Sequence, residues 1–265
     1  MRFKKLLLIA LSVFLTTCST GPSSSPGPSK AVPVSSFFSS MPSGNELVFI
    51  GAVGRRSNRA DTLKLAIEDA AKRVAIFHGV YGEYAVEINV GSGAFDYTNN
   101  VYSAMYFNEG GSSQYIDSLK YNASIDTIEI DNVFFIRTTY TSALPYPVNY
   151  RPTYNREGKP DWIENPPHQI NGYEVGVGFA GRHSSMADTY TVSRNNAIYA
   201  IIRNINSVLQ SRDTLYLNSG NLFGYKTSND NVISSYGTLN GFYVLDTWID
   251  QTTKTIWTLA VARKP

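Results

Sequence analysis

The chain has 265 residues, of which 23 are basic, 21 are acidic and one is a cysteine, and its formal net charge is +2. Arg2, Lys4 and Lys5 belong to a leader that we expect to be removed, which leaves 20 basic against 21 acidic residues and a formal charge of −1. This balance, with no basic stripe, argues against a nucleic-acid partner. A single cysteine excludes disulfide bonds within the chain.

Residues 1–17 have the pattern of a secretory signal. The start is cationic, and the run from Leu6 to Leu15 is apolar except for Ser12. A run of about 10 residues fits the apolar region of a signal peptide. It is too short to cross a bilayer, which needs about 20 apolar residues.

Cys18 ends this segment as Leu15-Thr16-Thr17-Cys18, which resembles the bacterial lipobox, with Thr17 where Gly, Ala or Ser is usual. The resemblance implies acylation of the Cys18 thiol, and several acyl chains together hold a protein stably on a membrane. Ser19 stands where an Asp commonly marks inner-membrane retention, so we expect the outer membrane, on its periplasmic or surface side. The alternative is an ordinary cleaved signal with an incidental cysteine.

Residues 18–36 are predicted to form a flexible tether. Their central run, Thr20 to Ser29, consists of Ser, Pro and Gly apart from its first residue. Such a segment has too little apolar surface to fold by itself.

A twelve-residue motif occurs twice in the chain. Gly51 to Thr62 and Gly178 to Thr189 share seven of twelve residues without gaps, namely both glycines, an arginine, a serine and the closing Ala-Asp-Thr. Internal repeats indicate repeated structural units, and chance would give only about one identity here. The sequence therefore predicts a duplication.

Each copy of the motif lies between an apolar strand and a helix. The predicted strands are Glu46 to Gly51 and Tyr173 to Gly178. Apolar residues then recur at helical spacing: Leu63, Ala66, Ile67, Ala70, Val74 and Phe77 in the first copy, and Ala197, Ile201, Ile205 and Val208 in the second.

The start of each helix is predicted from its polar residues. Ser57 and Ser184 are candidate N-caps. Asp61 and Asp188 then fall in or near the first turn, where the helix dipole favours negative charge.

Strand-like runs follow both helices, and this order predicts an α+β fold of two related domains, each an antiparallel sheet with one main helix packed across a face. The first copy also has a helical possibility near Gln114 to Tyr121. The predicted strands are Tyr84 to Val90, Val101 to Phe107 and Ile125 to Tyr140 in the first copy, and Gly241 to Ile249 and Thr255 to Ala262, around a turn at Gln251 to Lys254, in the second.

A stretch rich in Pro and Tyr separates the copies. Its prolines, at 145, 147, 152 and 160, cannot lie in a helix or a sheet interior. We therefore predict a first repeat at 37–142, a linker at 143–160 and a second repeat at 161–265.

Three segments of the second copy resemble the LPP-twenty family of bacterial outer-membrane lipoproteins. They are Lys159 to Pro167, with its Pro-Asp-Trp entry and Pro-Pro pair, Val175 to Ala180, with Gly-x-Gly, and the closing Thr258 to Ala262. The resemblance covers roughly 160–262 and more faintly 37–140, and the second helix and the tyrosine-rich stretch of the first copy depart from it. It implies an outer-membrane protein, sometimes tied to flagellar or envelope assemblies, and it does not imply an enzyme.

The run Gly176 to Gly181 matches G-x-G-x-x-G, the dinucleotide-binding fingerprint. The first copy has Phe49 in place of the first glycine, no alternating βαβ series follows, and no acidic residue stands about 20 positions on. The favoured interpretation is a tight turn and close helix packing at the shared glycines, which are Gly51, Gly54, Gly178 and Gly181.

Arg55 and Arg182 follow the last glycine of each motif, beside a predicted helix N-terminus. Such a position can bind an anion through backbone N–H groups and the helix dipole. We favour the alternative, in which the arginines pair with Asp61 and Asp188.

No catalytic, metal or cofactor site is predicted. The histidines at 78, 168 and 183 lack metal-site spacing, and no G-x-S-x-G nucleophile motif occurs. The carboxylates of Glu129 and Asp131 are assigned to a solvated strand face.

Tyrosines are the candidates for contact with a partner. They combine apolar area with a polar tip, which suits interfaces and equally suits ordinary sheet faces. The relevant positions are Tyr81, Tyr84, Tyr97, Tyr102, Tyr106, Tyr115 and Tyr121.

Together these features predict a lipid-anchored, non-enzymatic envelope protein that binds or scaffolds other proteins. A narrower alternative is an accessory of an envelope machine such as the flagellar basal body. An alternative of a different class is a small-ligand receptor or enzyme that uses a cleft between the domains.

Overall fold

The computed structural model describes residues 34–90, 97–216 and 230–264, with side chains described within 36–84, 103–205 and 235–264. The predicted signal, Cys18 and most of the tether lie outside these residues. A short helix, α1, covers Val34–Phe38, across the predicted boundary between the tether and the first repeat. It forms there because Phe37 and Phe38 bury their rings in a cluster with Ile50 and Phe135.

Strands dominate the first half of the described chain, around one long helix. The elements are β1 Glu46–Gly54, α2 Arg59–His78, β2 Val80–Val90, β3 Tyr97–Phe107, the 3-10 helix η1 Ser112–Ser118, β4 Thr127–Ile130 and β5 Val133–Thr141. The run predicted as one strand from Ile125 to Tyr140 is thus two strands. They are joined at Asp131 and Asn132, which both have positive φ.

The second half also has a strand that leads into a long helix and is followed by further strands, and its helix is longer. Its elements are the 3-10 helix η2 Asp161–Ile163, β6 Gln169–Ile170, β7 Tyr173–Ala180, α3 Met186–Tyr216, β8 Asp230–Leu239, β9 Tyr243–Ile249 and β10 Ile256–Ala262. The sequence predicted β7, α3, β9 and β10, and β8 was not predicted. Among the described residues, no helix has the length and apolar character to span a bilayer.

The strands form three antiparallel sheets. Their strand orders are β1-β5-β4, β6-β7-β10-β9 and β3-β2-β8. Helix α2 packs on the first sheet, and α3 packs on the second and also contacts β8 and β2. These sheets and helices confirm the predicted α+β class.

The two copies of the motif pack helix on strand in the same way. A Cβ added at Gly51 would overlap the Ala66 carbonyl of α2, and one added at Gly178 would overlap the Ser193 carbonyl of α3. Both the strand and the helix residues are 127 positions apart, 51 to 178 and 66 to 193. The two copies therefore share one strand–helix geometry.

The turn into each helix is also repeated, and its N-cap lies one residue later than predicted. Asn58 caps α2 by accepting the Ala60 N–H at 2.8 Å, and the Ser185 hydroxyl accepts the Asp188 N–H at 3.1 Å. Ser57 and Ser184 are therefore not these caps.

A threonine hydroxyl in each copy stabilises this turn. Thr62 accepts the Arg56 N–H and donates to the Asn58 carbonyl. Thr189 makes the equivalent bonds to His183 N–H and the Ser185 carbonyl. Each closes the turn at residue 58 or 185.

The prediction of two separate domains is not confirmed. Strand β2 of the first half pairs with β8 of the second, from Val80 with Leu239 onward. One core cluster includes both Phe49 and Tyr243, whose rings lie 5.6 Å apart. The described residues belong to one compact unit.

The predicted linker is part of this core. Tyr146 is buried between the two halves, where its hydroxyl donates to the Gly241 carbonyl. Val148 is buried in the same cluster. The prolines keep this segment out of the sheets, and its aromatic and aliphatic side chains attach it to them.

Candidate functional site

The first two glycines of the G-x-G-x-x-G run serve helix–sheet contact. Cβ atoms at Gly176 and Gly178 would overlap the backbone of α3. Strand β7 lies between β6 and β10, and both pairings are antiparallel, whereas the dinucleotide fingerprint belongs to a parallel βαβ unit. Gly54 and Gly181 have no atom within 4 Å of an added Cβ, so the structure gives no packing reason for glycine there.

The two motif arginines do not pair with the predicted aspartates. Arg55 Nη1 contacts Glu129 Oε1 at 3.0 Å, and both side chains are largely exposed. Asp188 instead accepts the hydroxyls of Ser184 and Ser185, and these bonds lower its pKa. Arg182 is exposed and lines a small cavity with Lys254 and other residues.

A buried polar network joins α2 to α3. Asp69 accepts the Ala52 N–H at 2.9 Å and pairs with Arg73 at 2.9 Å. Arg73 also donates to Thr191, and Arg194 donates to the Ile50 carbonyl at 3.4 Å. Burial lowers the pKa of Arg194 to about 10. Apart from the Asp69–Arg73 pair, which lies within α2, these contacts cross between structural elements or close a sheet edge, which indicates a structural role.

Asp246 is a buried carboxylate that the sequence reasoning missed. Its Oδ2 accepts Trp162 Nε1 at 2.9 Å and the Tyr154 hydroxyl at 3.1 Å, and its Oδ1 accepts the Thr247 N–H. The residue is 2% exposed, and burial raises its pKa to about 6. The sequence signal that could have identified this buried carboxylate is a single Asp in the apolar run Tyr243 to Ile249.

The same carboxylate affects the linker tyrosines. Burial, and then the charge and hydrogen bond of Asp246, raise the pKa of Tyr154. Burial and the charges of Asp161 and Asp246 raise the pKa of Tyr150 to about 12. Through its hydrogen bonds with Tyr154 and Trp162, Asp246 connects the linker and η2 to β9.

The predicted tyrosines occupy several environments. Tyr81 and Tyr106 lie on the outer face of the third sheet, with ring centroids 6.1 Å apart. Tyr84 faces α3, where its ring packs near Tyr199, and Tyr115 stacks on His78. Tyr121 is exposed in a loop. The side chains of Tyr97 and Tyr102 lie outside the described residues.

One exposed tyrosine comes from the other half of the chain. Tyr236 of β8 lies on the same sheet, opposite Glu83 of β2, and is 65% exposed. Tyr106 is 58% exposed. Sequence reasoning missed Tyr236 because the pairing of β2 with β8 joins residues about 150 positions apart, beyond any local pattern.

A groove with a cavity volume of about 490 Å³ lies along the edge of β7 that is free beyond its short pairing with β6 at Tyr173 and Glu174. It is lined by Pro166, Pro167, His168, Gln169, Glu174, Val175, Val177 and Asn204. Glu174 accepts Gln169 at 3.1 Å and lies 3.7 Å from Lys264. Its carboxylate is therefore already engaged.

Comparison with models of protein families, with curated proteins and with solved structures finds no match to this chain. Within the described residues, no three His, Cys, Asp or Glu side chains come together as a possible metal site. The geometry of the site is therefore the basis for a functional proposal.

Proposed function

We propose that this chain is a lipid-anchored envelope protein that acts by binding other proteins at the outer membrane and does not catalyse a reaction. The observation that carries the proposal is the outer face of the third sheet, where Tyr81, Tyr106 and Tyr236 lie together. Tyrosine is enriched in protein interfaces because it adds apolar area without losing a polar tip.

Two sequence features support the proposed location and class. The lipobox-like segment ending at Cys18 provides the anchor, and the resemblance to LPP-twenty lipoproteins provides the class. An accessory role in an envelope machine is a narrower form of the same proposal.

The test is photo-crosslinking in cells that produce the full chain. A photoreactive phenylalanine analogue replaces Tyr106 or Tyr236, and replacement of the loop residue Tyr121, which is 42% exposed, is the matched control. We expect the same discrete protein adduct from the two sheet positions and none from Tyr121. Absence of an adduct at both sheet positions contradicts the proposal.

The anchor is tested in the same cells. Cys18→Ala removes the acylated thiol, so the protein should leave the membrane fraction on cell lysis, and the adducts should weaken because the protein is no longer concentrated at the membrane. A variant that stays fully membrane-bound contradicts the lipid anchor.

A further inference from the structure

The outer face of the third sheet places one carboxylate among three tyrosines. The central strand, β2, contributes Tyr81 and Glu83. The strand register sets Tyr106 of β3 opposite Tyr81 and Tyr236 of β8 opposite Glu83. Glu83, Tyr106 and Tyr236 are all exposed.

The opposite face of this sheet is already occupied by α3. A Cβ at Gly82 would reach Ile202, and the Tyr84 ring lies 6.0 Å from that of Tyr199. Since successive strand residues point to opposite faces, Tyr81 and Glu83 point away from α3.

The charge of Glu83 is not balanced by a cation in the described part of the chain. Its Oε1 accepts the Tyr81 hydroxyl at 3.0 Å, and none of the ion pairs among the described side chains includes it. The hydrogen bond from Tyr81 raises the pKa of that tyrosine, with smaller contributions from Tyr236 and Tyr106. The four groups therefore lie close enough to interact electrostatically.

We infer that this face binds the side chain of an Arg or Lys presented by a partner protein, an inference that rests on the proposed function. The Glu83 carboxylate supplies the opposite charge. The tyrosine rings attract a cation through their electron-rich faces, most strongly when it lies within about 6 Å of the ring centroid. A carboxylate at this position repels phosphate, which argues against nucleic acid or an anionic lipid headgroup as the occupant.

The first experiment measures binding of a fluorescent hexa-arginine peptide to the full mature chain in nonionic detergent, with hexa-glutamine as the neutral probe. We expect binding of the arginine peptide alone, weakened by added salt. Glu83→Gln should weaken it about fivefold, and Tyr106→Ala with Tyr236→Ala about tenfold. Tyr81→Phe keeps the ring and should stay within about twofold of the wild type.

Glu157→Gln is the matched control, because Glu157 is an exposed carboxylate in the linker. It removes the same net charge as Glu83→Gln and should leave binding unchanged. Equal losses in the two variants, or no binding by the wild type, would overturn the inference. Thermal unfolding of each variant shows whether it is folded.

The second experiment repeats the photo-crosslinking at Tyr106 in the Glu83→Gln background. Loss of most of the adduct supports a cationic partner. An adduct that persists unchanged overturns the cationic partner while leaving the protein-binding function in place. Absence of any adduct in the wild-type background contradicts the proposed function itself, so the two failures are distinguishable.

Discussion

Strands β1 and β7 carry the same glycine motif, yet their free edges are closed in different ways. On β1, Tyr243 accepts the Val48 N–H at 2.9 Å, and Arg194 donates to the Ile50 carbonyl. Both groups come from the second half of the chain. On β7, Asn204 of its own helix donates to the Val175 carbonyl at 3.0 Å. Val48 and Val175 are equivalent positions, 127 residues apart.

One pair of equivalent helix positions shows the chemical basis of this difference. Asp69 accepts the Ala52 N–H on the β1 edge, and Asn196, 127 positions later, donates to the Phe179 carbonyl on the β7 edge. A carboxylate can only accept and an amide nitrogen only donates. The two copies therefore close the same edge position by satisfying opposite backbone groups. Only the Asp69 carboxylate of the first copy requires a cation, and Arg73 supplies it.

The largest expected effect tests what the two copies share. Gly51→Ala and Gly178→Ala should each lower the free energy of unfolding by more than about 3 kcal/mol, because the added Cβ overlaps helix backbone that cannot rotate away. Gly54→Ala and Gly181→Ala are the matched controls, since they have open space. Urea unfolding measures all four. A loss below about 1 kcal/mol at Gly51 or Gly178 would contradict the shared packing.

The next effect tests what separates the copies. Asp69→Ala leaves the Ala52 N–H and the buried Arg73 without this partner and should cost about 2–3 kcal/mol. Asn196→Ala removes one neutral hydrogen bond at a partly exposed site and should cost about 1 kcal/mol. Chemical denaturation measures the loss of stability in both variants. Equal losses would contradict the distinction between the β1 and β7 edges.

The smallest effect concerns a second pair of equivalent positions. Arg137 pairs with Ile50 and Leu259 with Val177, two equivalent positions 127 residues apart. Asp126, before β4, and Asp246, in β9, lie opposite Arg137 and Leu259. Only Asp246 is buried. Burial raises the pKa of Asp246 from 3.8 to about 6, so its contribution to stability is full below about pH 4 and is lost as the pH rises through about 6.

Asp246→Asn should remove up to about 2 kcal/mol of pH-dependent stability from that window. The amide oxygen can still accept Trp162 and Tyr154. Asp126→Asn is the control that retains Asp246 and hence its pH dependence. Thermal unfolding between pH 4 and 7 measures both, and a pH profile of Asp246→Asn equal to that of the wild type would rule out the buried carboxyl as its source.

The candidate interaction face was only partly predictable. Tyr81 and Tyr106 were singled out from the tyrosine-rich run, and they do lie side by side. Tyr84 and Tyr115 came from the same run but pack against other elements. Tyrosine content alone could not separate these positions, because strand alternation and the placement of α3 decide which rings are exposed.

The sequence by itself determined the antiparallel α+β class, the duplicated strand–turn–helix unit and the close helix packing at Gly51 and Gly178. The strand–turn–helix unit and its close packing are predictable because their contacts lie within about 20 residues along the chain, where glycine spacing, caps and helical periodicity act. The α+β class is predictable because it follows from the order of helical and strand-like runs along the chain. Only the tertiary structure decided the pairing of β2 with β8, the burial of Tyr146 in the core and the partners of Asp246. Those contacts join residues about 80 to 160 positions apart, so they depend on how the two halves pack.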